Sequence, residues 1–466
     1  MINRNHSTPP VAFNATEKGQ VVSIFVEESH PLLQLKRALP WDAIEEVMVK
    51  WWRAAGKNVD GGPGCPWDVS LYLPVVVLAL VKKKLTYRDM EEYLNENVAA
   101  RIFISREADT SSFIRDHSNI ARAVAALSAE GIEEVTELII KEATRLGFAD
   151  PQILSADTTA QELPIGYPNE PGILKGVAQR CGRALGRLKA KGVGGLQSAL
   201  DQARTVIKSA KEHHLFAKKP EEKQAILSRM IEETEELVGQ TDKVTAAIQK
   251  HPDKVVQRAI KKLDLMKEIV CRLIPQIRYW MEKGTVAKGK ILHPGIPQAR
   301  SIVRNKTGKK VEFGLQYLIS RIGGGYVMGE LLLGPVNESE MPLASLAGYR
   351  EIYGQASSPK LFVYDRGGNS AQTVKSLQDA GIPSIGIQPK GRSEWLVPEE
   401  ARPEVMSQRG MTEGVIGTLK SSKYGFNRPL ERNWETLQMA GLKSILSFNL
   451  NKLMRDLVKQ ENGAAA

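Results

Sequence analysis

Two aspartates, Asp157 and Asp365, each close an apolar run, ILSAD and LFVYD. An acid at a strand end has two ordinary uses. It can open a turn or cap the next helix. At the carboxyl ends of neighbouring parallel strands it can instead point into the crevice where open α/β sheets bind ligands. A third acid, Glu413, lies four residues after Arg409 and seven before Lys420. Eleven residues are almost three helical turns, so all three share one face if the segment is helical. Val415, Ile416 and Leu419 then give the opposite side something to bury, although Gly410, Gly414 and Gly417 each oppose a helix by about 1 kcal/mol relative to Ala. The simpler role for the trio is a solvated face with an i, i+4 ion pair between Arg409 and Glu413, on the order of a few tenths of a kcal/mol.

Other chemistries are poorly supplied. His213 and His214 sit among charged residues without a second ligand pair at metal spacing, and read as an exposed helix face. Gly323 to Gly325 lacks the Lys-Ser/Thr of a phosphate loop and opens no helix, so it reads as a turn. Asp157-Thr158-Thr159 lacks the second acid of a phosphoaspartate phosphatase. Cys65, Cys181 and Cys271 are odd in number and form no C-x-x-C pair, which argues against a disulfide framework or thiolate zinc site and for reduced thiols in a cytoplasmic protein. Lys390 and Arg392, just after the last expected strand, could reach nucleic-acid phosphates or form a solvated loop.

The elements that must position these residues follow from periodicity. Residues 41–150 carry apolar positions at three and four residue spacing, as in WDAIEEVMVKWW and IEEVTELIIKEATRL, with Thr86 and Asp109 as expected caps. Such a helical domain suits DNA binding, as it suits any small bundle. At Pro151 the character changes to a short buried strand with Asp157 at its far end. Residues 171–290 read as helical, with stripes through Ile226, Met230 and Leu237 and through Val255, Leu263 and Val270, broken at His251-Pro252: a long antiparallel hairpin. Then come a strand hairpin through Gly323 to Gly325, a helix from Pro342 to Tyr353, the LFVYD strand, a helix (AQTVKSLQDAG) and a short strand (IPSIGIQP), an alternation that implies parallel strands. The C-terminal part is helical, before a small-residue tail.

At 466 residues the chain should hold two to four domains. Its 42% hydrophobic and 25% charged residues exclude a mainly disordered, collagenous or membrane-spanning chain. No signal-peptide core is visible near the N-terminus, and the longest apolar run, Leu71 to Val81, is about half the length that crosses a bilayer, so it reads as a buried helix. The net charge of +11 favours a polyanionic partner. That excess is local: residues 171–290 carry 25 Lys and Arg against 13 Asp and Glu, while the remaining 39 basic and 40 acidic residues nearly cancel.

Taken together, ADTTAQELPIGYPNEPGIL, VEFG before a strand hairpin, FVYDRGG, and R-x3-E-x6-K followed by YGFNR-x3-R resemble the DDE insertion-sequence transposases, specifically the ISNCY class. The motifs span roughly residues 151–457, and their order and spacing are more specific than any one of them. The resemblance implies an α/β fold: a helical N-terminal domain (41–150, after a 1–40 extension), a ribonuclease-H-like core (151–170 and 291–457) interrupted by the basic helical insert (171–290), and a tail (458–466). It implies a catalytic, metal-binding triad of Asp157, Asp365 and Glu413 holding two Mg²⁺, with Mn²⁺ as a substitute. Lys420 would contact a phosphate near the cleaved bond, with Arg409, Lys390 and Arg392 as further DNA contacts. One departure is Met406, where related transposases have Tyr. The expected activity is strand cleavage and transfer on element ends (terminal inverted repeats) and target DNA, by a homodimer or larger assembly at the nucleoid, with no membrane partner. The alternatives are a metal-dependent nuclease that does not join, and a non-catalytic DNA-binding protein of transposase descent.

Overall fold

Capping residues set the helix boundaries of the N-terminal third. The computed structural model describes residues 12–17, 20–60, 67–104, 116–303, 311–389, 391, 395, 397–431 and 433–464. An antiparallel hairpin, β1 (Ala12–Glu17) and β2 (Gln20–Phe25), occupies part of the stretch read as an extension. Among the described residues, seven helices follow: α1 (Pro31–Ala38), α2 (Trp41–Ala54), α3 (Val69–Val81), α4 (Tyr87–Glu96), α5 (Val98–Ile104), α6 (His117–Ala125) and α7 (Ser128–Arg145). Thr86 caps α4 in a reciprocal box: its hydroxyl accepts from the Asp89 N–H (3.2 Å), and the Asp89 carboxylate accepts from the Thr86 N–H (3.1 Å). The other expected cap, Asp109, lies outside the described residues. The long apolar run falls in α3, whose Leu73, Val75, Val76 and Leu78 are fully buried, as a helix apolar on every side must be. Among the described residues, no helix is long and apolar enough to cross a membrane.

The chain forms two compact units, one from residues 1–161, 316–431 and 435–466, the other from 162–315 with 432–434. Strand β3 (Asp150–Glu162) leads into the second unit, which holds α8 (Glu170–Ala190), α9 (Gln197–Leu215), α10 (Pro220–Ile248), α11 (Lys254–Lys283) and β4 (Arg300–Val303). The helix break at His251-Pro252 is present, and Asp253 caps α11 by accepting from the Val255 N–H at 2.6 Å. The expected two-helix hairpin is revised, however. α10 and α11 share one core with α8 and α9, through Val177, Leu185, Val206, Met230, Leu237, Leu263 and Leu273. A two-helix hairpin could cover only one side of the α10 stripe, and α9 covers more of it. At the base of this unit the Leu163 N–H donates to the Phe313 carbonyl at 3.0 Å.

The rest of the sheet belongs to β5 (Val311–Gly323), β6 (Tyr326–Leu332), β7 (Leu361–Tyr364) and β8 (Ser384–Ile387), with α12 (Met341–Tyr353), α13 (Ala371–Asp379), α14 (Arg402–Leu419) and α15 (Trp434–Ala464) around it. The architecture is mixed α/β, with a six-stranded mixed sheet in the order β4-β5-β3-β7-β8 and β6 paired to β5. β7 lies parallel to β3, and β8 parallel to β7, through the strand-helix-strand crossover of α13. The β5–β6 turn needs its glycines: Gly324 and Gly325 have φ of +80° and +94°, and a Cβ on Gly324 would lie 2.0 Å from the Phe148 carbonyl oxygen. The first strand differs from the reading. It runs 13 residues, so Asp157 lies inside it, while the register with β7 runs only from Ile153 to Ser155.

Candidate functional site

Register brings the two aspartates level. Ser155 is the Cα partner of Val363, and two further residues along each chain lead to Asp157 and Asp365. Asp365 follows the end of β7 but is still extended (φ −70°, ψ 169°). Adjacent strands lie about 4.8 Å apart and side chains alternate, so both carboxylates stand on the face shared by Ser155 and Val363. Oδ1 of Asp365 accepts from the Gly367 N–H at 2.6 Å, capping the short turn Arg366–Gly368. The capping use of this residue is thus present, and it orients the Asp365 carboxylate.

Helix α14 crosses this face, despite its three glycines, because its buried side meets several strands in turn. Val405 packs against Val363 and stands where a Cβ on Gly386 of β8 would meet it at 2.7 Å. Thr412 and Ser155 of β3 share a hydroxyl hydrogen bond. Gln408 accepts from Arg321 of β5 at 2.6 Å. Burial lowers the Arg321 pKa, yet the guanidinium remains a cation held by this amide and by Met411 Sδ at 3.2 Å. Glu413, next to Thr412, lies on an exposed flank, and its carboxylate is 3.4 Å from Arg409 Nε. The register, carried on by two residues, thus sets the Asp157 and Asp365 backbones level, while Glu413 is paired with Arg409. Among the described residues no three or more His, Cys, Asp or Glu stand as a group ready to hold a metal. Lys420 is the C-cap of α14, half-buried, its N–H donating to Ile416. Met406 is exposed. Lys390 and Arg392 lie outside the described residues.

A residue that sequence reasoning passed over joins the two strands. Glu338, in the β6–α12 loop, accepts from Thr158 Oγ1 and from Tyr364 Oη, both at 2.9 Å. Thr158 follows Asp157 and Tyr364 precedes Asp365, so one carboxylate ties β3 to the end of β7 just beyond their last register pair. Burial, then Glu338, then Asp157 and Asp365 push the Tyr364 phenol far above its usual range, so it stays a donor. In the sequence, NESE before Pro342 looks like acids favouring a helix start, which masks this use. Thr159 and Gln161 alternate with Asp157 along β3. Among the described residues, Thr159 Oγ1 and both amide heteroatoms of Gln161 are buried without a hydrogen-bond partner. Buried polar groups are nearly always satisfied, so this strand carries unspent hydrogen-bonding capacity beyond Asp157.

No protein-family model matches the chain, and neither a curated protein nor a solved structure matches it.

Proposed function

We propose that the chain is a DDE-type DNA transposase, with a ribonuclease-H-like catalytic core that cuts and joins DNA at the ends of a mobile element. The observation that carries this reading is the parallel β3–β7 register, Ser155 opposite Val363, which extended by two residues sets Asp157 level with Asp365. The order of parts also supports it: a long first strand of the large sheet, a strand hairpin, a helix, two parallel strands joined by a helix, and then α14, which bears the third acid. In-line attack on a phosphodiester builds charge on the entering and leaving oxygens, which a pair of divalent ions stabilises when bound. Mg²⁺ takes oxygen ligands, keeps several waters and needs only one or two carboxylates from the protein, and Mn²⁺ accepts the same ligands, so Asp157 and Asp365 fit that donor set.

The chain's own residues then divide the work. The Gly367 N–H orients Asp365, and Glu338 holds β3 and the end of β7 in step. Glu413 completes the set from α14 by leaving Arg409; an exposed pair of this kind is worth about 0.2–1 kcal/mol, too little to hold it back. Arg409 and Lys420 then face DNA phosphates, with Lys390 and Arg392 as further contacts. The basic residues of 171–290 supply attraction for the rest of the DNA. Joining two element ends calls for a dimer or larger assembly.

A second reading, a DNA-binding protein whose acids are only structural, draws on the Arg409–Glu413 pair and the cap made by Asp365. One experiment separates the two. The full chain is incubated with Mg²⁺, a target plasmid and a labelled duplex copied from the inverted repeats flanking its gene. Joined products should form with the wild type and vanish with Asp157→Asn, Asp365→Asn or Glu413→Gln, while end binding persists. Joining at the normal rate by any variant removes that residue from the site, and cutting without joining in the wild type supports a nuclease.

A further inference from the structure

The ends of α8, α9, α10 and α11 enclose a half-open cavity of about 980 Å³, lined entirely by residues of the smaller unit. That volume is at the upper end of ligand sites. Four lysines reach its wall from successive parts of the chain: Lys175 of α8, Lys211 of α9, Lys218 of the following loop and Lys223 of α10. Glu170 is the one acid among the described lining residues, and it is already engaged by Lys290. Some cations elsewhere in the unit are matched, as in Arg229–Glu212, Lys267–Asp242 and Arg278–Glu235. Among the described ion pairs, none engages the four cavity lysines. The indole of Trp280, 36% exposed, forms part of the same wall. His213, which also lines it, is pushed below its usual pKa first by burial and then by Lys223 and His214, with Glu170 opposing.

We propose that this cavity binds single-stranded DNA, with the lysines on successive phosphates and Trp280 stacked on a base. Cations contributed by several elements suit a backbone that carries its charges in series, and a cationic groove combined with an aromatic platform is how single strands are held without sequence preference. A duplex keeps its base faces inside the stack and would leave the indole without a partner. The inference deepens the proposed function by naming what this unit grips, and it rests on that reading for the choice of DNA over RNA.

Anisotropy of a fluorescein-labelled thymidine 20-mer tests it, using the full chain carrying Asp157→Asn in EDTA so that no cleavage intervenes. Trp280→Ala should weaken binding about ten-fold, since stacking is worth ~1–3 kcal/mol per base and 1.4 kcal/mol is ten-fold. Lys211→Gln/Lys218→Gln/Lys223→Gln should reduce the slope of log K against log salt by about 2, because each phosphate that a lysine neutralises adds ~0.7 to it. A blunt duplex should be insensitive to Trp280→Ala. Wild-type affinity in either variant with unchanged helix content, an equal effect on duplex, or tighter binding of the ribonucleotide 20-mer would each overturn the proposal. Loss of joining with intact single-strand binding would count only against the transposase reading, and the converse only against this site.

Discussion

Removing the Glu338 carboxylate should loosen the end of β7 from the part of β3 that carries Asp157. Its two partners are largely cut off from water: Thr158 is 9% exposed and Tyr364 2%. A hydrogen bond to a charged group contributes about 1.5–3 kcal/mol, and a buried donor left unmatched forfeits most of that. Tyr364 cannot turn to solvent, whereas Thr158 stands nearer the edge, so Glu338→Ala should destabilise by about 3–4 kcal/mol, toward the lower end of two full bonds. Glu338→Gln keeps one acceptor oxygen and should cost about 1 kcal/mol. Urea unfolding of both variants gives the measurement, and a double-mutant cycle with Tyr364→Phe should show a coupling of about 1.5 kcal/mol. If strand-end alignment matters for chemistry, Glu338→Gln should also slow joining while end binding holds. A Glu338→Ala protein within about 0.5 kcal/mol of wild type, or strict additivity with Tyr364→Phe, would refute the argument.

The remaining predictions concern stability. Burial pushes Lys83 down to about 8 despite Glu431, with Lys443 also opposing its charge. The folded value lies below the unfolded one, so the unfolded chain binds more protons between about pH 8 and 10.5 and stability rises with pH across that window. Lys83→Met should therefore stabilise the protein at pH 7 by about 1–2 kcal/mol, allowing for partial solvent access, and flatten the rise; thermal melts from pH 7 to 10.5 that show no change of slope would count against it. Gly324→Ala should cost more than about 2 kcal/mol, because φ is positive and the new Cβ meets the Phe148 carbonyl, whereas Gly334→Ala, at φ +110° in open space, should show the backbone strain alone. Equal losses in denaturant titrations of the two would show that the clash is relieved without cost.

Legibility in the sequence followed the range of the interaction. The α4 cap, the α10–α11 break, the β5–β6 turn and the LFVYD strand rest on residues within a few positions of one another, and these were readable. α14 was readable through its apolar side, although its glycines argue against a helix, because packing on the sheet outweighs propensity. The length of β3 was not readable. Asp157, Thr158, Thr159 and Gln161 look like a polar exit from a strand, and nothing local reveals that Thr159 and Gln161 are buried. Glu338 was hidden for a related reason: its partner Thr158 is 180 residues away. The level placement of Asp157 and Asp365 depends on a strand register, and apolar periodicity constrains faces without fixing a partner residue.

The bond from Leu163 to Phe313 that closes the base of the smaller unit bears on how the chain finds its fold. A free connection of ~150 residues between β3 and β5 would cost on the order of 4 kcal/mol or more in closure entropy before any strand pair formed. A unit with its own helical core removes most of that search by bringing its two ends close, so its collapse should precede completion of the central sheet. The same closure makes the unit exchangeable: a different module that holds the same two chain ends together would leave the alignment of Asp157 with Asp365 intact.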